Sequence, residues 1–153
     1  MSERAFQSIA EIIAFAVDRE IDAAETYGRM ADIAKTPGLR ELLIVLRQEE
    51  EGHRRLLEEL TAERIAGLAP SFVPDLRVSD YLVEETPGGD MSLQDLLIFA
   101  AKKEHKSVEL YTALARGAAA SGQARLFEFL AGQERAHKLK LEAEYEKHIL
   151  QEN

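Results

Sequence analysis

The chain has 153 residues, a formal net charge of −9 and no cysteine. That length is enough to bury a core without disulfides or a structural metal, and the excess of acids excludes the basic face that phosphate binding needs, so no nucleic-acid partner is expected. Without thiolates these residues hold no disulfide framework, no cysteine-ligated zinc or iron–sulfur site and no rubredoxin-like electron-transfer module; a bound metal must use Glu, Asp and His.

The first twenty residues, MSERAFQSIAEIIAFAVDRE, interrupt every apolar run with charge. Neither a signal peptide nor a membrane span is predicted, and a soluble cytoplasmic protein is expected. From about residue 3 to 35, Ile9, Ile12, Ile13, Ala16, Ala23, Tyr27 and Met30 recur at three and four residues, the spacing of one helix face. Thr36-Pro37-Gly38 then joins a cap residue to a proline suited to a first helical turn, so a second helix opens there, with Leu39, Leu43, Leu46 and Leu57 on its stripe.

Residues 68–91 change character. Pro70, Pro74, Pro87, Gly88 and Gly89 interrupt any helix, while Phe72, Val73, Leu76 and Tyr81 are too apolar for a free linker, so a crossover packed along the bundle is expected. Ser92 with Asp95 three residues on resembles a capping box and starts a third helix through Leu96, Leu97, Ala100, Tyr111 and Leu114. Ser121-Gly122 separates it from a fourth, which runs to about Leu150. The expected architecture is all-α, one domain over 1–153: a hairpin at about 3–67, the crossover 68–91, and a second hairpin at about 92–150. Short loops make each pair antiparallel, and the long crossover gives a ferritin-like four-helix bundle, not a simple up-down-up-down one.

The two hairpins repeat one pattern. Glu20, Glu50 and His53 recur 84 residues later as Glu104, Glu134 and His137, accompanied by Phe15/Phe99, Tyr27/Tyr111, Leu42/Leu126 and Leu57/Leu141. A single Glu-x-x-His carries little weight in so glutamate-rich a chain. Two copies in register, each with a partner glutamate, are another matter, because all six residues fall where the apolar stripes require leucine. Four carboxylates converging in a core would repel one another and take up protons. Two divalent cations would supply +4 against −4, and neutral imidazoles from His53 and His137 complete a nitrogen and oxygen donor set suited to iron or manganese.

A Glu from each of two helices plus a Glu-x-x-His from each of the other two is the pattern of dinuclear carboxylate bundles. On these residues the chain resembles, over essentially its whole length, the di-iron domain of the rubrerythrin family in the ferritin-like superfamily. The resemblance implies a metal set of Glu20, Glu50, His53, Glu104, Glu134 and His137 holding two iron ions, with manganese the alternative, and one histidine on each metal. The pairs Glu50/Glu134 and Glu20/Glu104 could divide into bridging and terminal ligands, whereas the family pattern favours Glu20 and Glu134 as terminal with Glu50 and Glu104 bridging.

The resemblance further implies an oxidoreductase that reduces hydrogen peroxide or dioxygen with electrons from an external donor protein, in a homodimer. A ferroxidase that stores iron, or a bundle merely clamped by metal, are the alternatives. One departure stands out: the family usually carries a further Glu three residues after the third-helix ligand, where this chain has Ser107. Tyr27 and Tyr111 each follow a ligand Glu by seven residues and share its face. They either hydrogen-bond ligand carboxylates or pass electrons, or else simply fill the core with the hydroxyl on another acceptor. Glu25 and Glu109 point away from the site by helical geometry; Glu49 and Glu51 are expected to face water, and His105 and His148 lack the paired pattern.

Overall fold

The computed structural model describes residues 8–60, 92–118 and 123–152. Among these the architecture is all-α, as expected: α1 (Ile9–Ile33), α2 (Pro37–Glu58), α3 (Leu93–Gly117) and α4 (Ala124–Glu152). The expected crossover 68–91 and the Ser121-Gly122 break lie outside the described residues, as do residues 3–7 and 61–67 of the first hairpin; the first helix, expected from about residue 3 to 35, instead starts at Ile9, because Ser8 stands in extended backbone as its cap, and ends at Ile33, while α2 ends at Glu58.

Each start has a local cause. Ser8, Thr36 and Ser92 sit in extended backbone, and their hydroxyls accept hydrogen bonds from the N–H groups of Glu11, Leu39 and Asp95 at 3.1, 3.3 and 3.1 Å. Each cap satisfies a helix donor that would otherwise lack a partner, and is worth about 1 kcal/mol. Pro37 occupies the first turn of α2, where its missing N–H costs nothing. Where α1 ends, Arg40 reaches back to the carbonyls of Ala31 and Ala34 and satisfies groups that the helix leaves open.

The core falls into two apolar clusters. One joins Ile9–Ala16 at the start of α1, Leu57 at the end of α2, Leu110–Leu114 at the end of α3 and Phe127–Ala131 at the start of α4. The other joins Ala23–Ala31 of α1, Leu39–Leu46 of α2, Leu96–Ala100 of α3 and Leu141 of α4. Helices that meet start to end are antiparallel, so α1 runs against both α2 and α3, and α4 against both α2 and α3. It follows that α2 ends at the opposite end of the bundle from where α3 begins, which is the ferritin-like connection. Fully buried leucines such as Leu43, Leu46, Leu96 and Leu114 each contribute roughly 1.5–3 kcal/mol. Between the two clusters lies a layer that is not apolar at all.

Candidate metal centre

The middle layer is made by the positions at which each stripe breaks. Along α1 the buried series Ile13, Ala16, Glu20, Ala23 puts a carboxylate where a leucine would fit, and along α2 the series Leu43, Leu46, Glu50, His53, Leu57 does so with two polar groups. Glu104 on α3 and Glu134 and His137 on α4 repeat the arrangement, and all six residues are at most 3% exposed. The structure thus brings every expected metal residue into one buried layer.

Within it, donor atoms form two overlapping groups, Glu20, Glu50, His53 and Glu134, and Glu50, Glu104, Glu134 and His137, each with its atoms inside 4.8 Å of one another. His53 Nδ1 lies 2.7 Å from Glu134 Oε1, 3.4 Å from Glu50 Oε1 and 3.5 Å from Glu20 Oε2. His137 Nδ1 lies 2.8 Å from Glu50 Oε1 and 3.0 Å from Glu104 Oε2. The imidazoles stack with ring centres 5.8 Å apart. Glu50 and Glu134 belong to both groups, Glu20 only to that of His53 and Glu104 only to that of His137. The family pattern favours Glu50 and Glu104 as the shared pair, whereas the grouping of donor atoms puts Glu50 and Glu134 in common. The reason is symmetry: the repeat maps Glu50 onto Glu134 and Glu20 onto Glu104, so a pair shared by two equivalent sites must map onto itself, and Glu50 with Glu104 does not.

The protein compensates little of the charge in this layer. Burial first, then the neighbouring carboxylates Glu104 and Glu20, hold the Glu50 carboxyl well above the usual range; burial followed by Glu104 and Glu50 does the same to Glu134. For His53, burial works against the charged form, but the hydrogen bond to Glu134 and the neighbouring Glu20 carboxylate outweigh it and raise its pKa to about 10. Oε2 of Glu20, Oε1 of Glu50 and Oε2 of Glu134 are buried without a hydrogen-bond partner; the short approach of Glu50 Oε1 to His137 lacks the direction that a hydrogen bond needs. Orphaned buried carboxylate oxygens each forfeit on the order of 1–3 kcal/mol unless something electropositive meets them.

Tyr111 donates a 2.6 Å hydrogen bond to Glu20 Oε1, on the other hairpin. Helical side chains lean towards their own N-terminus, so on antiparallel α1 and α3 the side chains of Tyr111 and Glu20 lean towards each other, whereas Glu104 leans away from Tyr111. Tyr27 is equally buried and sits under the influence of Glu104, but its hydroxyl has no hydrogen-bond partner; its ring meets that of His137 edge-on with centres 6.3 Å apart. Burial raises both phenols above their usual range, so both are neutral donors near neutral pH.

One participant escaped the sequence. Glu49, expected to face water, is only 37% exposed, and its Oε1 lies 3.0 Å from His137 Nε2. A carboxylate there fixes the ring's tautomer and orientation, leaving Nδ1 to face the layer. No repeat signal could have revealed it, because the equivalent position holds Gln133. Ser107 faces a slit beside Glu104, together with Arg19 and Lys103, cations that are themselves repeat equivalents and lie over Phe15 and Phe99.

Residues 11–145 match the family model of rubrerythrin. A solved structure, described as a hypothetical protein from Pyrococcus furiosus, is similar to this chain with a TM-score of 0.68 and 28% sequence identity, covering 92% of this chain and 89% of that one. No curated protein matches the sequence. The buried carboxylate and histidine layer is compatible with a di-iron site, and with a family match over most of its length the chain belongs to the rubrerythrin family.

Proposed function

We propose that this protein holds two metal ions, iron in the first place, in the layer between the apolar clusters and uses them to reduce hydrogen peroxide or dioxygen. The observation that carries the reading is the set of buried, unpartnered oxygens on Glu20, Glu50 and Glu134 in a layer of four carboxylates and two imidazoles. Four carboxylates and two imidazoles fit two divalent ions in charge and in donor type. Glu50 and Glu134 would be shared between the ions; Glu20 with His53 would complete one site, and Glu104 with His137 the other.

When bound, the metal pair supplies Lewis acidity and redox electrons. The chain does the rest. Tyr111 orients Glu20 and Glu49 orients His137, while the flanking clusters keep water from the layer and so strengthen each electrostatic contact within it. Reduction of one hydrogen peroxide to two waters consumes two electrons and two protons. The electrons would come from an external donor protein, since the chain has no cysteine for a redox module of its own. A cytoplasmic homodimer suits this reading.

The test is the metal content of protein produced in iron-replete medium, beside Glu134→Ala, followed by peroxide kinetics of the reduced form. About two metals per chain, lost in the variant, with oxidation faster than that of free iron, is the expected result. Two metals with no reaction beyond free iron would defeat the oxidoreductase reading.

A further inference from the structure

Two openings in the described surface reach a carboxylate of the layer, and they differ in kind. At Glu104 the slit between α1 and α3 holds only about 10 Å³, roughly a single water, and is walled by Arg19, Lys103 and Lys106. A divalent cation meets three basic side chains there, Arg19 and Lys103 sharing Asp22 at 2.8 and 4.0 Å and Lys106 paired with Glu109 at 3.5 Å. At Glu20 a groove of about 700 Å³ runs along α1 and α2, walled by Glu25, Asp32 and Glu51 as well as by Arg29, Arg47 and Arg54. Glu20 is among the residues that line it, and its buried Oε2, without a hydrogen-bond partner, faces the layer 3.5 Å from His53 Nδ1.

The groove exists because two residues of α1 are small. Ala24 and Gly28 line it, and a Cβ built on Gly28 would come within 3.3 Å of an Arg47 guanidinium nitrogen. The repeat places Val108 and Thr112 at the equivalent positions of α3, where branched side chains would fill such a depression. The charges change too: Asp32 and Glu51 become Arg116 and Arg135. The two hairpins therefore share their metal residues but not the path to them.

We infer that the α1–α2 groove is the route by which divalent metal ions enter the site, reaching Glu20 first. Glu25 and Asp32 offer a hydrated cation oxygen partners along the groove, while Glu51 is engaged with Arg47 at 3.2 Å and partly neutralises it. The carboxylates of the layer then draw the ion inward. This inference rests on the proposed metal site and adds to it where that site is loaded.

The test is stopped-flow mixing of metal-free protein with Co²⁺, followed by quenching of tyrosine emission, which is the intrinsic signal of a chain with four Tyr and no Trp. Ala24→Val with Gly28→Thr gives the first hairpin the side chains of the second. Uptake is expected to slow by about tenfold, a barrier raised by ~1.4 kcal/mol, with final stoichiometry and helical circular dichroism unchanged. Glu25→Lys with Asp32→Lys, both exposed and outside the metal set, is expected to slow uptake more at low than at high salt. Wild-type uptake with unaltered rates in both variants would overturn the route while leaving the site intact, whereas no Co²⁺ uptake by wild type would overturn the site and the route together.

Discussion

Tyr27 and Tyr111 are equivalent by repeat and equally buried, yet only Tyr111 makes a hydrogen bond, at 2.6 Å to Glu20. Their phenylalanine variants should therefore behave differently. Tyr111→Phe removes a donor to a carboxylate and leaves Glu20 with neither oxygen partnered; hydrogen bonds to charged groups contribute about 1.5–3 kcal/mol. Unfolding entropy of about 2.1 cal/mol/K per residue gives roughly 0.3 kcal/mol/K for a chain of this length, so the metal-free Tm should fall by about 5–9 °C. Tyr27→Phe deletes a buried hydroxyl with no partner, for which a change within about 0.5 kcal/mol, or under ~2 °C, is expected. Thermal melts of the two metal-free variants, followed by far-ultraviolet circular dichroism, read the difference directly. Equal losses would refute the assignment of Tyr111 as the one tyrosine of the pair that holds a layer carboxylate, because the lean of side chains on antiparallel α1 and α3 directs Tyr27 towards Glu104 just as it directs Tyr111 towards Glu20.

Other consequences follow from the same layer. Glu49→Ala frees His137 Nε2 and should weaken metal binding by about 10–100-fold, the usual effect of losing a partner to a ligating histidine, with Glu49→Gln retaining part of the affinity; equilibrium dialysis giving equal affinities would return Glu49 to the solvated surface. In the metal-free protein the pKa values of Glu50, Glu134 and His53 are all raised, so the folded state binds more protons than the unfolded one and stability falls as pH rises. The contribution is full below the unfolded carboxyl value and is lost progressively up to about 10, where His53 titrates. Tm of the metal-free protein should therefore decline between about pH 5.5 and 9, and a rise across that window would contradict the buried-layer electrostatics. Metal binding must displace those protons, so affinity should grow with pH and loading should release acid into a weakly buffered solution.

Much of the fold and the whole of the converging set were legible in the sequence for one physical reason. A helix stripe with period near 3.6 leaves no freedom about which positions face inward, so Glu20, Glu50, His53, Glu104, Glu134 and His137 had to be buried once the helices formed. Thr36, Pro37 and Ser92 marked two helix starts because their chemistry is local. Ser8 was equally readable, with Glu11 three residues on as in a capping box and the apolar stripe beginning at Ile9 just after it, yet the helix was expected from about residue 3. What spacing could not deliver was the pairing between hairpins: that Tyr111 bonds Glu20 and not its own helix's Glu104 depends on which helices are antiparallel neighbours and which way side chains lean.

The repeat explains both its success and its blind spot. Requiring a residue to recur 84 positions away removes chance matches and isolates the metal set, whose charge and geometry need two equivalent halves. The same filter discards every residue that acts by breaking the symmetry. Glu49 against Gln133 gives His137 a carboxylate partner, while Ala24 and Gly28, which line the α1–α2 groove, stand against the larger Val108 and Thr112. Two equivalent donor groups follow from the repeat, but access from solvent comes from some particular side. Mismatched positions of the repeat, next to matched ones, are accordingly where access and the inequivalence of the two metal positions should be sought in this chain.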